Sequence, residues 1–389
     1  MKPDFDEIIP RRHTDSVKFD DLERRFGRPD LLPLWVADMD FRTPECVTEA
    51  LRKLVDHGIF GYHLKRPGIY QAIGDWWARR HGYAVDPSGI FWNPGVVPAI
   101  SHLLQALTAP GDGILIQPPV YHPFAWAVRA NGRRLLENRL LERDGRYTID
   151  FDDLEAKAHD ARLLVLCNPH NPVGRVWRRE ELAKIAEICL RHELIILSDE
   201  IHNDLVFPPH RHLPIAALSP EVDRITVTTH AASKTFNVAG LSTAYLLIRD
   251  PSLRERYRKV SDLLHVEALN PFGLAATEAA FRDGEPWLAA LLDYLQGNFA
   301  LLEGFLASRL PRVTVSPLEG TYLAWLDFRQ YGLSPQALKE RMIGKAGLAL
   351  NDGPMFGPGG EGFQRMNLGC PRAVLGDALE RLRSALADG

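Results

Sequence analysis

Short apolar runs rich in β-forming residues alternate with helical patterns through the middle of this chain, and this alternation constrains the fold most. The runs lie at residues 113–117, 162–167, 194–198, 224–229 and 241–248. Between two of them, apolar residues recur at intervals of three and four from 179 to 192, which predicts a helix. Strands that are apolar throughout suit a sheet covered on both faces. The sequence therefore predicts an α/β fold with a mostly parallel central sheet covered by helices.

The pattern changes near residue 286, which predicts a second, smaller domain. Residues 288–310 have the pattern of one long amphipathic helix, and short strands and a helix over 334–343 follow. We expect residues 46–285 to form a large domain and residues 286–389 to form a small α+β domain. The polar N-terminal segment, residues 1–45, is expected to pack on the small domain or on a partner subunit.

Composition argues against several classes of protein. The 389 residues are 46% hydrophobic and 25% charged, which is ordinary for a globular chain too long for one small core. The formal net charge of -4 leaves no basic excess to neutralise nucleic-acid phosphates. No apolar run approaches the roughly 18 residues of a membrane span, and the N-terminus has no secretory apolar stretch. We expect a cytoplasmic protein that binds neither nucleic acid nor membranes.

Polar, turn-forming segments follow four of the predicted strands. They carry, in chain order, Tyr121, then Asn171, then Asp199 with His202, and finally Lys234. Ligands bind beyond the carboxyl ends of parallel strands. We therefore expect an aromatic ring, an amide, a carboxylate, a histidine and a lysine to meet at one edge of the sheet.

Each of these residues also has a simpler explanation. A lysine in a loop is usually solvated, but Lys234 beyond a buried strand is placed to lose water and form a Schiff base with an aldehyde cofactor. Asp199 follows an apolar run directly, so it either caps a helix or needs a cationic partner such as a protonated pyridine nitrogen. Asn171 suits a turn between prolines, and Tyr121 suits a core as well as a flat ring.

Two further segments bear on ligand and metal binding. Gly95 opens a helical stretch, and a helix N-terminus of this kind offers backbone N–H groups to a phosphate. No dinucleotide or P-loop motif accompanies it. His210 and His212 lie in a proline-rich loop without cysteine or glutamate at ligand spacing, so we expect them to be solvated. The four cysteines are scattered, and no metal site is expected.

Taken together, these segments resemble the fold-type I pyridoxal-phosphate enzymes, the aspartate aminotransferase superfamily. They are most similar to its cystathionine β-lyase-like C–S lyases, the MalY/PatB type. The matching stretches are residues 33–41, 57–62, 95–99, 167–177, 198–202, 233–241 and 363–372. In this order and spacing they cover nearly the whole chain, so the resemblance is specific.

The resemblance implies a role for each residue at the expected edge of the sheet. Lys234 forms the Schiff base with pyridoxal 5'-phosphate and moves protons. Asp199 pairs with the pyridinium nitrogen, which makes the ring an electron sink. Asn171 and His202 bond the 3'-oxygen of the ring, and Tyr121 stacks on it.

It also implies how the phosphate is held. The backbone of Gly95, Val96 and Val97 is expected to surround the phosphate, together with Ser233. Tyr62 is expected to reach the phosphate of the neighbouring subunit, so that the site belongs to a homodimer.

The substrate carboxylate and two departures from the pattern complete these expectations. Arg365 is expected to bind the α-carboxylate of a small amino-acid substrate, with Arg372 as the second choice. Ala231 and Ser242 stand where the fold type often has phosphate-binding serine and arginine. The phosphate is then expected to depend more on the helix N-terminus, on Ser233 and on His230.

The activity that the resemblance implies is β-elimination of cystathionine or cysteine S-conjugates, which gives thiol, pyruvate and ammonia. An aminotransferase with the same residues is the alternative, as is a lyase-like enzyme of specialised metabolism with an altered outcome. A non-catalytic protein that kept the fold is a third hypothesis, and the retained lysine, aspartate and asparagine argue against it.

Overall fold

A computed structural model describes residues 3–387 of the chain. Residues 1–2 of the predicted N-terminal segment and residues 388–389 of the predicted small domain lie outside the described part. The helices are α1 (Val17–Asp20), α2 (Leu22–Phe26), α3 (Glu45–His57), α4 (Pro67–His81), α5 (Val96–Leu107), α6 (Pro123–Ala130), α7 (Phe151–Ala158), α8 (Arg179–Arg191), α9 (Pro220–Ile225), α10 (Ala232–Thr235), α11 (Pro251–Leu264), α12 (Pro271–Asp283), α13 (Glu285–Arg309), α14 (Pro335–Glu340) and α15 (Arg372–Leu386).

The strands form one large sheet, one smaller sheet and two short pairs. They are β1 (Leu32–Pro33), β2 (Ile90–Asn93), β3 (Gly113–Ile116), β4 (Arg134–Glu137), β5 (Leu141–Arg143), β6 (Arg146–Thr148), β7 (Ala161–Cys167), β8 (Ile195–Asp199), β9 (Thr226–His230), β10 (Ala244–Ile248), β11 (Thr314–Val315), β12 (Leu323–Asp327), β13 (Leu348–Ala349), β14 (Asn351–Asp352) and β15 (Phe363–Asn367). The predicted strand over 241–248 begins only at Ala244, because Ala239–Leu241 forms a short 3-10 turn instead.

The large sheet is mostly parallel, which confirms the predicted fold class. Its strand order is β2-β10-β9-β8-β7-β3-β4, and β10 alone runs antiparallel to its neighbours. Successive residues of β7 alternate between two cores. Val165 packs in the core formed with α5, α6 and α11, whereas Leu164 and Leu166 pack in the core formed with α7 and α8. Both faces of the sheet are therefore covered by helices.

The C-terminal part is built on the long helix α13. A four-stranded antiparallel sheet of order β11-β12-β15-β14 packs with it and with α15. The helix predicted over 334–343 starts at Pro335, because Ser334 caps it by accepting a hydrogen bond from the Ala337 backbone N–H. It then widens into a π-helical turn over Arg341–Ala346.

The N-terminal segment joins this C-terminal part. Strand β1 pairs in parallel with β13, and the Asn367 amide donates to the carbonyls of Val36 and Asp38. Arg11 also donates to the carboxylates of Asp38 and Asp40. These contacts fix residues 34–40 beside the carboxyl edge of the large sheet. The division at residues 45 and 285 remains a prediction.

Candidate active site

A cavity of about 210 Å³ opens at the carboxyl ends of β7, β8 and β9, beside the N-terminus of α5. The parallel strands bring together the residues that were expected at this edge. The lining residues are Ala37, Gly95, Val96, Val97, Pro98, Tyr121, Cys167, Asn171, Asp199, Ile201, His202, Ser233 and Lys234.

Asp199 is a buried carboxylate without a cationic partner among the described residues. It is the last residue of β8, and its Oδ1 accepts from the Ile201 N–H at 3.2 Å and the Thr229 hydroxyl at 3.4 Å. Burial raises the pKa of Asp199 to about 7, although these two hydrogen bonds and the charge of Lys234 act in the opposite direction. The site therefore favours a ligand that brings a positive charge to this carboxylate.

Lys234 lies in the short helix α10, and its ammonium faces the same cavity. Its Nζ donates to the Ala37 carbonyl at 2.7 Å, so the N-terminal segment holds the lysine. The pKa of Lys234 is lowered to about 8, mainly by burial; the charge of Arg365 acts in the same direction, and the charges of Asp38 and Asp199 act against it. A lysine tuned in this way supplies a nucleophilic amine near neutral pH.

Arg365 is a buried cation that no carboxylate pairs with among the described residues. It lies on β15, and its guanidinium donates to the amide oxygens of Asn171 at 3.0 Å and Asn351 at 2.6 Å and to the Trp35 carbonyl at 2.8 Å. Burial lowers its pKa to about 10. Its Nε has no hydrogen-bond partner. A buried guanidinium bonded only to neutral oxygens is suited to an added carboxylate.

His202 contributes an unpaired polar atom to the cavity wall. The side chain is buried, its Nδ1 has no hydrogen-bond partner, and its ring lies 5.9 Å from that of Tyr322. Burial, followed by the charges of Lys234 and Arg365, holds the pKa of His202 well below its usual value, so the imidazole is neutral. The sequence placed His202 here, but nothing in the sequence indicated that its ring nitrogen would lack a partner.

The N-terminus of α5 forms the opposite wall of the cavity. Gly95 precedes the helix, no side chain caps it, and Val96, Val97 and Ser233 line the cavity beside it. Uncapped N–H groups at a helix N-terminus attract anions. His230, which was expected to contact the phosphate, does not line the cavity. Its ring is buried between the Tyr245 hydroxyl and the Asn203 amide.

Three predicted site residues do not line this cavity: Arg365 adjoins it through its hydrogen bond to Asn171, whereas Arg372 and Tyr62 lie apart from it. Arg372 packs over the ring of Tyr294 with its guanidinium carbon 4.4 Å from the ring centroid, and its Nε donates to Asn298. It begins α15 and faces α13, so the structure does not bring our second choice for the carboxylate to the site. Tyr62 is fully exposed in the loop between α3 and α4, and its predicted contact with a neighbouring subunit remains a prediction.

Sequence reasoning missed a buried network behind the lysine that is centred on Asp204. This carboxylate accepts from the Trp76 indole, the Thr235 hydroxyl and His81, each at 3.1 Å. Burial acts to raise the pKa of Asp204, but the hydrogen bond and the charge of His81 hold it below its usual value. Because Thr235 follows Lys234, the network anchors the helix that carries the lysine.

The same network corrects the expectation for His212. The side chain is buried rather than solvated, and its Nε2 bonds to Glu200 at 2.7 Å. Glu200 and Asp204 therefore turn away from the cavity, whereas Asp199 and His202 face it. No cluster that could hold a metal ion occurs among the described residues.

We expect the substitution Asp204→Asn to destabilise the protein by about 3 kcal/mol, because it removes the buried charge that faces His81 and Arg80. Urea unfolding of the cofactor-free protein measures this change. Asp144→Asn, at a nearly fully exposed carboxylate, is the matched control and should leave the midpoint unchanged. Equal midpoints for the two variants would show that Asp204 does not hold this region together.

Known proteins are similar to this chain over almost its whole length. The aminotransferase class I and II family matches residues 29–382. The cystathionine beta-lyase PatB of Bacillus subtilis is 47% identical over 98% of this chain and 100% of its own length. The crystal structure of cystalysin from Treponema denticola, which contains a pyridoxal 5'-phosphate cofactor, has a TM-score of 0.97 at 36% identity and covers 100% of both chains. The PLP-bound C–S lyase from Staphylococcus hominis has a TM-score of 0.93 at 33% identity and covers 99% of this chain and 98% of its own. In the described part of the chain, no helix is long and apolar enough to cross a membrane.

Proposed function

The chain belongs to the aminotransferase class I and II family, and from this premise we propose that it is a pyridoxal-phosphate-dependent carbon–sulfur lyase acting on cystathionine or cysteine S-conjugates. The observation that carries the proposal is the placement of two buried charges without an ion-pair partner among the described residues, Asp199 and Arg365, close enough to Lys234 to act on its pKa, which burial lowers. Such perturbed groups cluster at functional sites.

The residues of the cavity fit pyridoxal phosphate. Lys234 would hold it through its amine, Asp199 through the pyridine nitrogen, and the unpaired His202 nitrogen with Asn171 through the ring oxygen. The uncapped N-terminus of α5 and Ser233 would hold the phosphate. Bound there, the cofactor supplies an electron sink for the negative charge that develops when the Cα proton is removed.

The side chains then have distinct tasks. Arg365 binds the α-carboxylate and orients the Cα–H bond towards Lys234, whose amine takes the proton. Asp199 would stabilise the positive charge of the pyridine nitrogen throughout the reaction, because two hydrogen bonds fix its carboxylate in position. Tyr121 lines the cavity next to α6, where its ring would stack on the flat ring of the cofactor.

The overall reaction is redox-neutral and consumes one water molecule. The Cβ–sulfur bond breaks and the sulfur leaves as a thiol. The Cα–nitrogen bond is then hydrolysed, so the nitrogen leaves as ammonia and the three carbons leave as pyruvate.

Incubation of the purified holoenzyme with S-methylcysteine tests this function. A lyase releases thiol and pyruvate in equal amounts without any added oxo acid. An aminotransferase instead requires an oxo-acid acceptor and releases no thiol. If neither product forms from S-methylcysteine or from a conjugate with a longer substituent, S-benzylcysteine, the lyase proposal is wrong.

We expect Arg365→Lys to raise KM for S-methylcysteine about tenfold or more with a smaller change in kcat. An ammonium cannot form the bidentate hydrogen bonds that a guanidinium makes to the substrate carboxylate. Steady-state kinetics measure both values. The matched control is Arg372→Lys, which the packing on α13 places away from the cavity. A larger KM effect for the control than for Arg365→Lys would reverse the assignment.

The proposal includes a homodimer in which Tyr62 reaches the neighbouring site. The support is the loop around Tyr62, where Ile59, Phe60 and Leu64 are also largely exposed. Apolar residues clustered on a surface are typical of an interface. A cytoplasmic location stays a prediction from the sequence.

We expect Tyr62→Phe to weaken binding of pyridoxal phosphate about tenfold, because a hydrogen bond to a charged group is lost. Equilibrium dialysis of the cofactor measures this, and light scattering gives the oligomeric state. A monomer that binds the cofactor as tightly as the wild type would contradict the shared site.

A further inference from the structure

A second, larger depression of about 730 Å³ adjoins the cavity; we call it the outer groove. It runs between α6 and the turn at residues 354–358. Its lining residues are Ile116, Val120, Tyr121, His122, Ala125, Trp126, Arg129, Ala130, Glu137, Pro354, Met355, Phe356, Gly357 and Pro358.

A continuous set of contacts connects the outer groove with the cavity. Tyr121 lines both. The His122 ring lies 5.4 Å from the ring of Tyr121 and 6.0 Å from that of Phe356. Phe356 in turn lies under the guanidinium of Arg365, 5.1 Å from it. An amino acid whose carboxylate is bound by Arg365 therefore lies next to the inner end of the groove.

Most residues that line the outer groove are apolar, and two of these apolar side chains are substantially exposed. The side chain of Trp126 is 62% exposed and that of Met355 is 40% exposed. Indole and thioether groups make favourable contacts with aromatic rings and with sulfur. These two residues therefore offer apolar area to a ligand in the groove.

The charged residues of the groove favour neither a ligand with a net positive charge nor one with a net negative charge. Arg129 and Glu137 have side chains without a hydrogen bond or ion pair among the described residues, and their charges are opposite. Their sum is zero, so the groove has no net charge that would select an anionic or a cationic group.

We propose that the outer groove receives the sulfur substituent of the substrate and selects extended substituents without a net charge over short ones. This inference rests on the proposed lyase function. Trp126 and Met355 are its specificity-determining residues, because they contact only substituents long enough to pass Phe356.

The test compares two cysteine conjugates, S-benzylcysteine and S-methylcysteine, in wild-type holoenzyme and in Trp126→Ala. We expect kcat/KM for S-benzylcysteine to fall about tenfold or more in the variant, whereas kcat/KM for S-methylcysteine changes less than about twofold. Met355→Ala should act in the same direction. Leu141→Ala, which removes an exposed apolar side chain outside the groove, is the control and should change neither value.

A binding measurement separates recognition from turnover. Calorimetric titration with 2-amino-5-phenylpentanoate and with norvaline uses analogues in which a methylene replaces the sulfur, so that no thiol can leave. Trp126→Ala should weaken binding of the phenyl analogue about tenfold and leave norvaline unaffected.

The outcomes distinguish the groove from the lyase function. Equal losses for the long and short conjugates, or a change of oligomeric state in Trp126→Ala, would overturn the groove proposal alone. If the wild type releases pyruvate from neither conjugate, the lyase function fails and the groove proposal fails with it.

Discussion

Replacing Lys234 with alanine is expected to lower kcat for thiol release by about 10³- to 10⁴-fold, because the variant loses both the covalent hold on the cofactor and the base at Cα. Lys234 supplies the only amine among the described residues that line the cavity. Single-turnover measurement of pyruvate from S-methylcysteine gives the rate.

The control for this prediction is Lys259→Ala, at an exposed lysine of α11 whose one ion-pair partner in the described part of the chain is Glu255. It should retain wild-type kcat and KM. If Lys234→Ala retains more than about a tenth of the wild-type rate, proton transfer at Cα belongs to another group and the proposed role of Lys234 is wrong.

Asp199→Asn is expected to change activity and stability in opposite directions. The activity should fall about 10²-fold or more, because the neutral amide of asparagine no longer stabilises a positive charge on the pyridine nitrogen of the cofactor. The cofactor-free protein should become more stable at pH 8, because burial raises the pKa of Asp199 from 3.8 to about 7. The folded state then binds this proton more tightly than the unfolded state does.

The sign of the pH effect follows from that difference. Between about pH 4 and pH 7 the folded, cofactor-free protein holds a proton that the unfolded chain has lost, so its stability falls as the pH rises through this range. The loss amounts to at most about 4 kcal/mol above pH 7. Asp199→Asn should remove this fall, and Asp144→Asn should not. If the wild type and Asp199→Asn have identical urea-unfolding profiles from pH 5 to pH 8, the conclusion that burial raises the pKa of Asp199 is wrong.

Much of the site could be predicted from the sequence because the fold itself brings these residues together. Parallel strands place their carboxyl ends at one edge, so residues that follow β7, β8 and β9 must meet there. Asn171, Asp199 and Lys234 are such residues. The continuous apolar runs indicated these strands because a sheet buried on both faces leaves no polar alternation.

Other parts depend on contacts between distant segments and leave no local pattern. Arg365 meets Asn171 across 194 residues of sequence, and only the family resemblance indicated its place. The Ala37 carbonyl that holds Lys234 is a backbone group, which any residue type supplies. The Asp204 network joins α4, the loop after β8 and α10, and its histidine and tryptophan were indistinguishable in sequence from ordinary core and surface residues.

Reduction of the holoenzyme with borohydride, followed by peptide mapping with mass spectrometry, identifies the residue that holds the cofactor. We expect the pyridoxyl group on the peptide that contains Lys234 and on no other lysine. A pyridoxyl group on a different lysine, or on none, would contradict the assignment of this cavity as the active site.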